Sequence, residues 1–179
     1  MDRLIVKKVF FVWNSDKEKA WLESMARDGY ILESLGLFKY IFRKSEPSDL
    51  VYEFDFQILN KKTEPDYLEL FVDWNFVGKF GAWYYFSKIR EGNKKDLIYN
   101  DTRSKQQMIK KILAFLLIIG FPLYYQIIIM FPNMDSSEFL FPRFYFFFRI
   151  IVIIVLMAHT YALINVLLIY RSLTKDIKE

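Results

Sequence analysis

The sequence contains no cysteine. Disulfides, thiolate nucleophiles and cysteine-based metal sites are therefore excluded, and redox chemistry gives no reading of compartment. Histidine occurs once, at position 159, so the polar first half lacks the side chain best suited to proton transfer near neutral pH. The few glycines form no glycine-rich phosphate loop. No cleavable signal is expected. Met1 to Lys8 has charges on both sides of a very short apolar run, with neither the longer apolar core nor the small-residue cleavage site such a signal needs. The first hundred residues are expected to stay on the side where they are made. Clustered positive charge is absent there too. Residues 1–104 hold 17 basic and 17 acidic side chains, so the whole formal charge of +4 falls in residues 105–179. A neutral polar half argues against non-specific nucleic-acid binding, which needs clustered cations to displace phosphate counterions.

Two long apolar runs are present. Residues 109–131 carry no charge after Lys110 and Lys111, and residues 144–170 carry only Arg149 and His159. Each reaches the roughly 20 residues needed to cross a hydrocarbon core of about 30 Å. The runs are expected to be transmembrane helices joined by an extracytoplasmic loop, 132–143, and followed by a short tail, 171–179. Pro122 inside the first run is tolerable in lipid, where neighbouring groups take over the freed carbonyl. Arg103, Lys105, Lys110 and Lys111 precede the first span, and Arg171, Lys175 and Lys178 follow the second, whereas the loop sets Asp135 and Glu138 against Arg143. The positive-inside bias then predicts a cell-membrane protein with both termini cytoplasmic. Arg149 lies close enough to the outer end to snorkel. Phe139, Phe141, Phe144, Tyr145 and Phe146 crowd that edge like an interfacial belt. Within the second span, His159 is expected to hydrogen-bond to the adjacent helix. Tyr161 and Asn165, four apart on one helix face, predict packing of the two spans, or of two copies of the chain as a homo-oligomer.

The polar half, 1–95, reads as a repeated α+β unit. Val6 to Trp13 is a strand candidate. Ser15-Asp16-Lys17-Glu18 has the form of a capping box, Trp21, Leu22, Met25 and Ala26 follow at helical spacing, and Gly29 supplies the stop. Phe38, Tyr40 and Phe42 alternate with Lys39, Ile41 and Arg43, and Tyr52, Phe54, Phe56 and Ile58 alternate with Val51, Glu53, Asp55 and Gln57 after turn chemistry at residues 45–49. Pro65 opens a second helix with Tyr67, Leu68, Phe71 and Val72, and Trp83 to Phe86 forms a last strand. The order β-α-β-β-α-β predicts a ferredoxin-like domain: two helices on one face of a four-stranded antiparallel sheet, the other face open. Residues 96–108 would link it to the first span.

The open face is the candidate interaction surface. Lys39 and Arg43 are expected to face Glu53 and Asp55 across the central hairpin, with opposite charges worth about 0.2–1 kcal/mol per pair. Alternation buries only about half of the aromatic side chains, which leaves rings such as Trp83 and Tyr85 for a protein interface, self-association or a small apolar ligand. No catalytic set, cofactor motif or metal-ligand cluster emerges, and the chain is not expected to be an enzyme.

The strand Phe10-Phe11-Val12-Trp13, Asp16 with its Lys-Glu run, Trp21-Leu22, Met25, Gly29, Phe42, Tyr52, Asp55, Trp83 to Lys88, and the run from Ile98 to Lys105 together resemble the bacterial domain-of-unknown-function family twenty-eight-twelve. The likeness covers about residues 8–105 and fits a layout with two following spans. Asp73-Trp74 departs from it, standing where a Gly-Trp pair is common. The resemblance implies a link to envelope-stress or drug-response regulation, because members often sit beside PadR-type repressor genes. It implies no catalytic residue. The resulting expectation is a membrane-anchored regulatory or sensory module whose cytoplasmic domain binds a protein partner, a regulator or a transporter. The alternative is an accessory in transport or resistance acting through its membrane helices.

Overall fold

A computed structural model describes residues 3–92, 97–98, 102–134 and 142–177. The chain divides into two compact units, Met1–Ser104 and Lys105–Glu179. In the first, strand β1 (Arg3–Lys7) gives way to an irregular stretch and a 3-10 turn at Val12–Asn14 before helix α1 (Ser15–Arg27). The first strand is thus shorter than its β-branched and aromatic sequence suggests. Phe10 and Phe11 leave the sheet to carry the chain into α1. Helix α1 ends as expected: Gly29 adopts φ 83°, and a Cβ there would lie 2.8 Å from the Ser45 carbonyl oxygen.

Strands β2 (Tyr30–Gly36) and β3 (Lys39–Lys44) complete a three-stranded antiparallel sheet in the order β1-β3-β2. The second half repeats the plan. Strand β4 (Leu50–Phe56), the short helix α2 (Glu64–Leu68), and strands β5 (Asn75–Phe80) and β6 (Trp83–Ile89) form a second sheet in the order β4-β6-β5. The expected four-stranded ferredoxin-like sheet is replaced by six strands in two sheets. Helix α2 also stops at Leu68, short of Phe71 and Val72.

The two unexpected strands, β2 and β5, each carry a bulge. The register shifts between Leu32 and Ser34 in β2 and between Phe76 and Gly78 in β5. A bulge breaks the alternation of period two by which a strand is recognised.

The core lies between α1 and both sheets. Leu22 and Ala26 of α1 meet Leu32, Tyr40, Phe42, Leu50, Tyr52, Phe54 and Tyr85. Strand β4 is an edge strand by its pairing, yet it is buried along its whole length, with α1 packed against it. A covered edge offers no free backbone groups to another chain. On the other face of β4 and β6, Tyr67 and Phe71 pack on Tyr84 and Phe86 with ring centroids 4.5–6.4 Å apart.

In the second unit, α3 (Thr102–Tyr125) contains Pro122 and continues as a π turn, Gln126–Met130, and a 3-10 turn, Phe131–Asn133. Helix α4 (Pro142–Asp176) follows. Residues 135–141, most of the expected loop, lie outside the described residues. Thr102–Asn133 and Arg143–Asp176 are each long and apolar enough to cross a membrane.

Candidate functional site

Glu18 lies on α1 one turn before Leu22 and two before Ala26, on the stripe that faces the core. It is 6% exposed. The capping box does not form: Asn14 is the N-cap residue, no side chain caps the helix, and the Glu18 carboxylate turns inward. There the phenol of Tyr40 donates to Oε1 at 2.6 Å and that of Tyr85 to the same oxygen at 2.9 Å. Tyr40 comes from β3 of the first sheet and Tyr85 from β6 of the second, so this single oxygen joins both halves of the unit.

Burial raises the Glu18 carboxyl above its ordinary range, against the two phenol hydrogen bonds and the charge of Lys19, which pull it down. Tyr40 and Tyr85 are held protonated, first by burial and then by the adjacent carboxylate.

Above this cluster is a cavity of about 190 Å³. Phe10 and Phe11 from the β1–α1 connection, Phe38 from the β2–β3 turn, Phe54 of β4, Phe80 of β5 and Trp83 of β6 supply ring walls, and Glu18, Tyr40 and Tyr85 the polar groups. The volume is of the order that holds a single-ring molecule. Two details mark the mouth. Phe38 adopts φ 54°, in the left-handed region that a bulky side chain rarely enters. Phe11, Leu37 and Phe38 are more than half exposed. Exposed apolar groups around a concave site with a few polar ones are what a binding site requires.

The six residues expected to form an interaction surface separate. Trp83 and Tyr85 line the cavity. Lys39 and Arg43 stand on β3, opposite Lys7 and Arg3. Glu53 and Asp55 stand on β4, opposite Phe86 and Tyr84. Because β3 and β4 belong to different sheets, no charge ladder joins them. Both acids are buried: Glu53 pairs with Lys19 at 2.9 Å, and Asp55 accepts from the Tyr67 hydroxyl at 2.5 Å and from the Gln57 amide at 2.9 Å.

Among the intramembrane candidates, His159 Nε2 lies 2.9 Å from the Leu116 carbonyl oxygen of α3, as expected of a helix-to-helix contact. Gly120 makes room for the ring, since a Cβ there would fall 2.4 Å from His159 Cε1. Asn165 bonds within its own helix. Its amide donates to the Tyr161 carbonyl of its own helix at 2.8 Å, while the Tyr161 side chain is 60% exposed. The polar cross-links that the sequence reading missed are Tyr124 with Thr160 at 2.8 Å and Gln106 with Thr174 at 2.7 Å.

Glu18 was legible in principle, as a carboxylate on an apolar helical stripe. Its two phenols were not, because they meet only when the two sheets come together. Among the described residues no group of three or more histidine, cysteine, aspartate or glutamate side chains is placed to hold a metal.

Residues 14–121 match the family described as Protein of unknown function (DUF2812), and the chain belongs to that family. The matched stretch holds Glu18, Tyr40 and Tyr85 and runs into the apolar part of α3, but begins after Phe10 and Phe11. No curated protein and no solved structure matches the chain.

Proposed function

We propose that this member of the family is a membrane-anchored sensory module. Its soluble unit takes a small molecule in the cavity above Glu18 and carries the occupied or empty state to a protein partner, a regulator or a transporter. The observation that carries the reading is the Glu18–Tyr40–Tyr85 cluster at an aromatic-walled cavity. A carboxylate taken out of water and held by two phenols from different sheets is a costly arrangement for stability alone. It also gives a ligand leverage over the fold, because anything that binds Glu18 acts on the joint between the two halves. The apolar helices anchor the unit in the cell membrane, and the distribution of lysine and arginine favours both termini in the cytoplasm. The reading assigns no reaction. The alternative, a transport accessory working through the spans, draws less support, because His159 is engaged in helix packing.

The test is thermal unfolding of the full-length protein in lipid nanodiscs against a panel of single-ring compounds. A true ligand stabilises the folded state by about 2.7 kcal/mol at a hundred times its Kd. Saturable stabilisation that is lost in Leu35→Trp, which places a larger side chain at the cavity wall, supports the reading. No stabilisation by any member, or the same stabilisation in Leu35→Trp, overturns it.

A further inference from the structure

We infer that the cavity selects a small organic cation, a protonated amine carried on a body about the size of one ring, with Glu18 as its counter-ion. The inference rests on the ligand-binding reading above and adds the chemical class of ligand.

Three observations carry it. First, Glu18 has an unused oxygen. Both phenols donate to Oε1, no described residue donates to Oε2, and Oε2 is not among the fully buried unpartnered atoms, so it is left open to an incoming group. Glu18 is more than nine-tenths buried and lines the cavity. Second, no described cation forms an ion pair with it, and the Lys19 charge acts on it only from a distance. Lys19, the next residue, gives its ammonium to Glu53 at 2.9 Å and lies 5.6 Å from the Phe54 ring centroid. Lys8 lines the cavity at its exposed rim, where its ammonium is held between the Trp21 ring at 4.3 Å and the wall ring of Phe10 at 5.0 Å, with no ion pair to Glu18. A buried carboxylate without an ion pair is disfavoured, and a cation in the cavity would relieve that. Third, the walls are ring faces and edges. Aromatic rings attract a cation within about 6 Å of their centroids, most strongly once it has left water.

The same parts argue against the other ligand classes. An anion would have to approach Glu18. A neutral apolar ring would fill the volume but shut Oε2 off from water without offering it a donor. A neutral donor would gain one hydrogen bond and no charge neutralisation.

The experiment compares three probes of one shape, benzylamine, benzyl alcohol and benzoate, on the full-length protein. Zwitterionic phosphatidylcholine nanodiscs are used so that the lipid does not concentrate the amine. Binding is read from tryptophan fluorescence, with Trp83→Phe to assign the signal to the cavity. The expected result is benzylamine binding at least about tenfold tighter than benzyl alcohol, with benzoate weakest, and this preference disappearing in Glu18→Gln. Equal binding of benzylamine and benzyl alcohol, or preferred binding of benzoate, overturns the cation inference while leaving a ligand cavity in place. Should none of the three bind and no other single-ring compound stabilise the protein, the cavity reading itself fails. The comparison among probes needs only the unaltered protein, so it decides the matter even if Glu18→Gln does not fold.

Discussion

Glu18 exposes the folded state to pH in a defined direction. Its ordinary carboxyl value is 4.5, and burial holds it higher in the folded protein. Over the interval between those values the folded state keeps a proton that the unfolded chain has released. Stability is therefore full below about 4.5, falls as pH rises toward the raised folded value, and is level above it. Glutamine keeps the shape and an acceptor oxygen but has nothing to ionise. The stability of the natural protein relative to Glu18→Gln should accordingly decline across this interval, measured by chemical denaturation from about pH 4 to 8. A difference that stays constant would mean that Glu18 does not sit in the dry environment described. The same residue shows how a local sequence rule can lose to packing. A serine followed three residues later by glutamate satisfies the pattern of a capping box, but Glu18 also shares the buried stripe of Leu22 and Ala26, and two phenols outweigh one backbone amide as partners.

At the scale of elements, the β2–β3 turn sacrifices local comfort. Its two loop residues, Leu37 and Phe38, are large, apolar and mostly exposed, and Phe38 is in the left-handed region. The equivalent β5–β6 turn places Gly81, with φ 60°, where backbone freedom is needed. Phe38→Gly should stabilise the first unit by about 0.5–1 kcal/mol, the relief of left-handed strain exceeding the entropy that glycine loses on folding. It should also weaken binding in the cavity, because a ring leaves the mouth. Denaturation and ligand titration on the same variant check both signs, and a variant that is less stable with unchanged binding would remove Phe38 from the site.

In the helix pair, Gly120→Ala sets a methyl group against the His159 ring. The expected loss is about 1–3 kcal/mol of stability in detergent, partly recovered when His159→Ala is added to the same chain. Equal losses in the single and double variants would show that the two residues do not share one packing site.

What could be read from the sequence at this scale follows from period. Strands β3, β4 and β6 keep their alternation and were legible, and α1 and the two apolar helices carry unbroken patterns. Strands β2 and β5 were not, because each has its register broken by a bulge, and without them the two-sheet arrangement cannot be deduced. The same gap hid the meeting of Tyr40 and Tyr85 over Glu18, a contact spanning 67 residues on one side.

For the whole molecule, the two units solve burial in opposite ways. The first unit encloses Leu22, Phe42, Tyr52 and Phe86 almost completely, whereas Ile118, Phe121, Phe144 and Phe147 of the apolar pair face outward. Outward apolar side chains along the length of two helices need an apolar surrounding, and a bilayer supplies one without any change in the protein. The proposed orientation can then be tested directly, since a chain without cysteine accepts single reporter thiols with no background. Lys61→Cys on the soluble unit, Ser137→Cys in the connecting loop and Ser172→Cys beyond the second apolar run would each be treated with a membrane-impermeant maleimide. With two spans and cytoplasmic ends, intact cells label only Ser137→Cys, and permeabilised cells label all three. Labelling of Lys61→Cys but not Ser137→Cys in intact cells would invert the orientation and bring the cavity above Glu18 to the outer side. Labelling of Ser172→Cys and not Lys61→Cys would mean that the chain crosses an odd number of times. The cation inference would survive the first result with an extracytoplasmic source of ligand, because the geometry around Glu18 is independent of which side it faces.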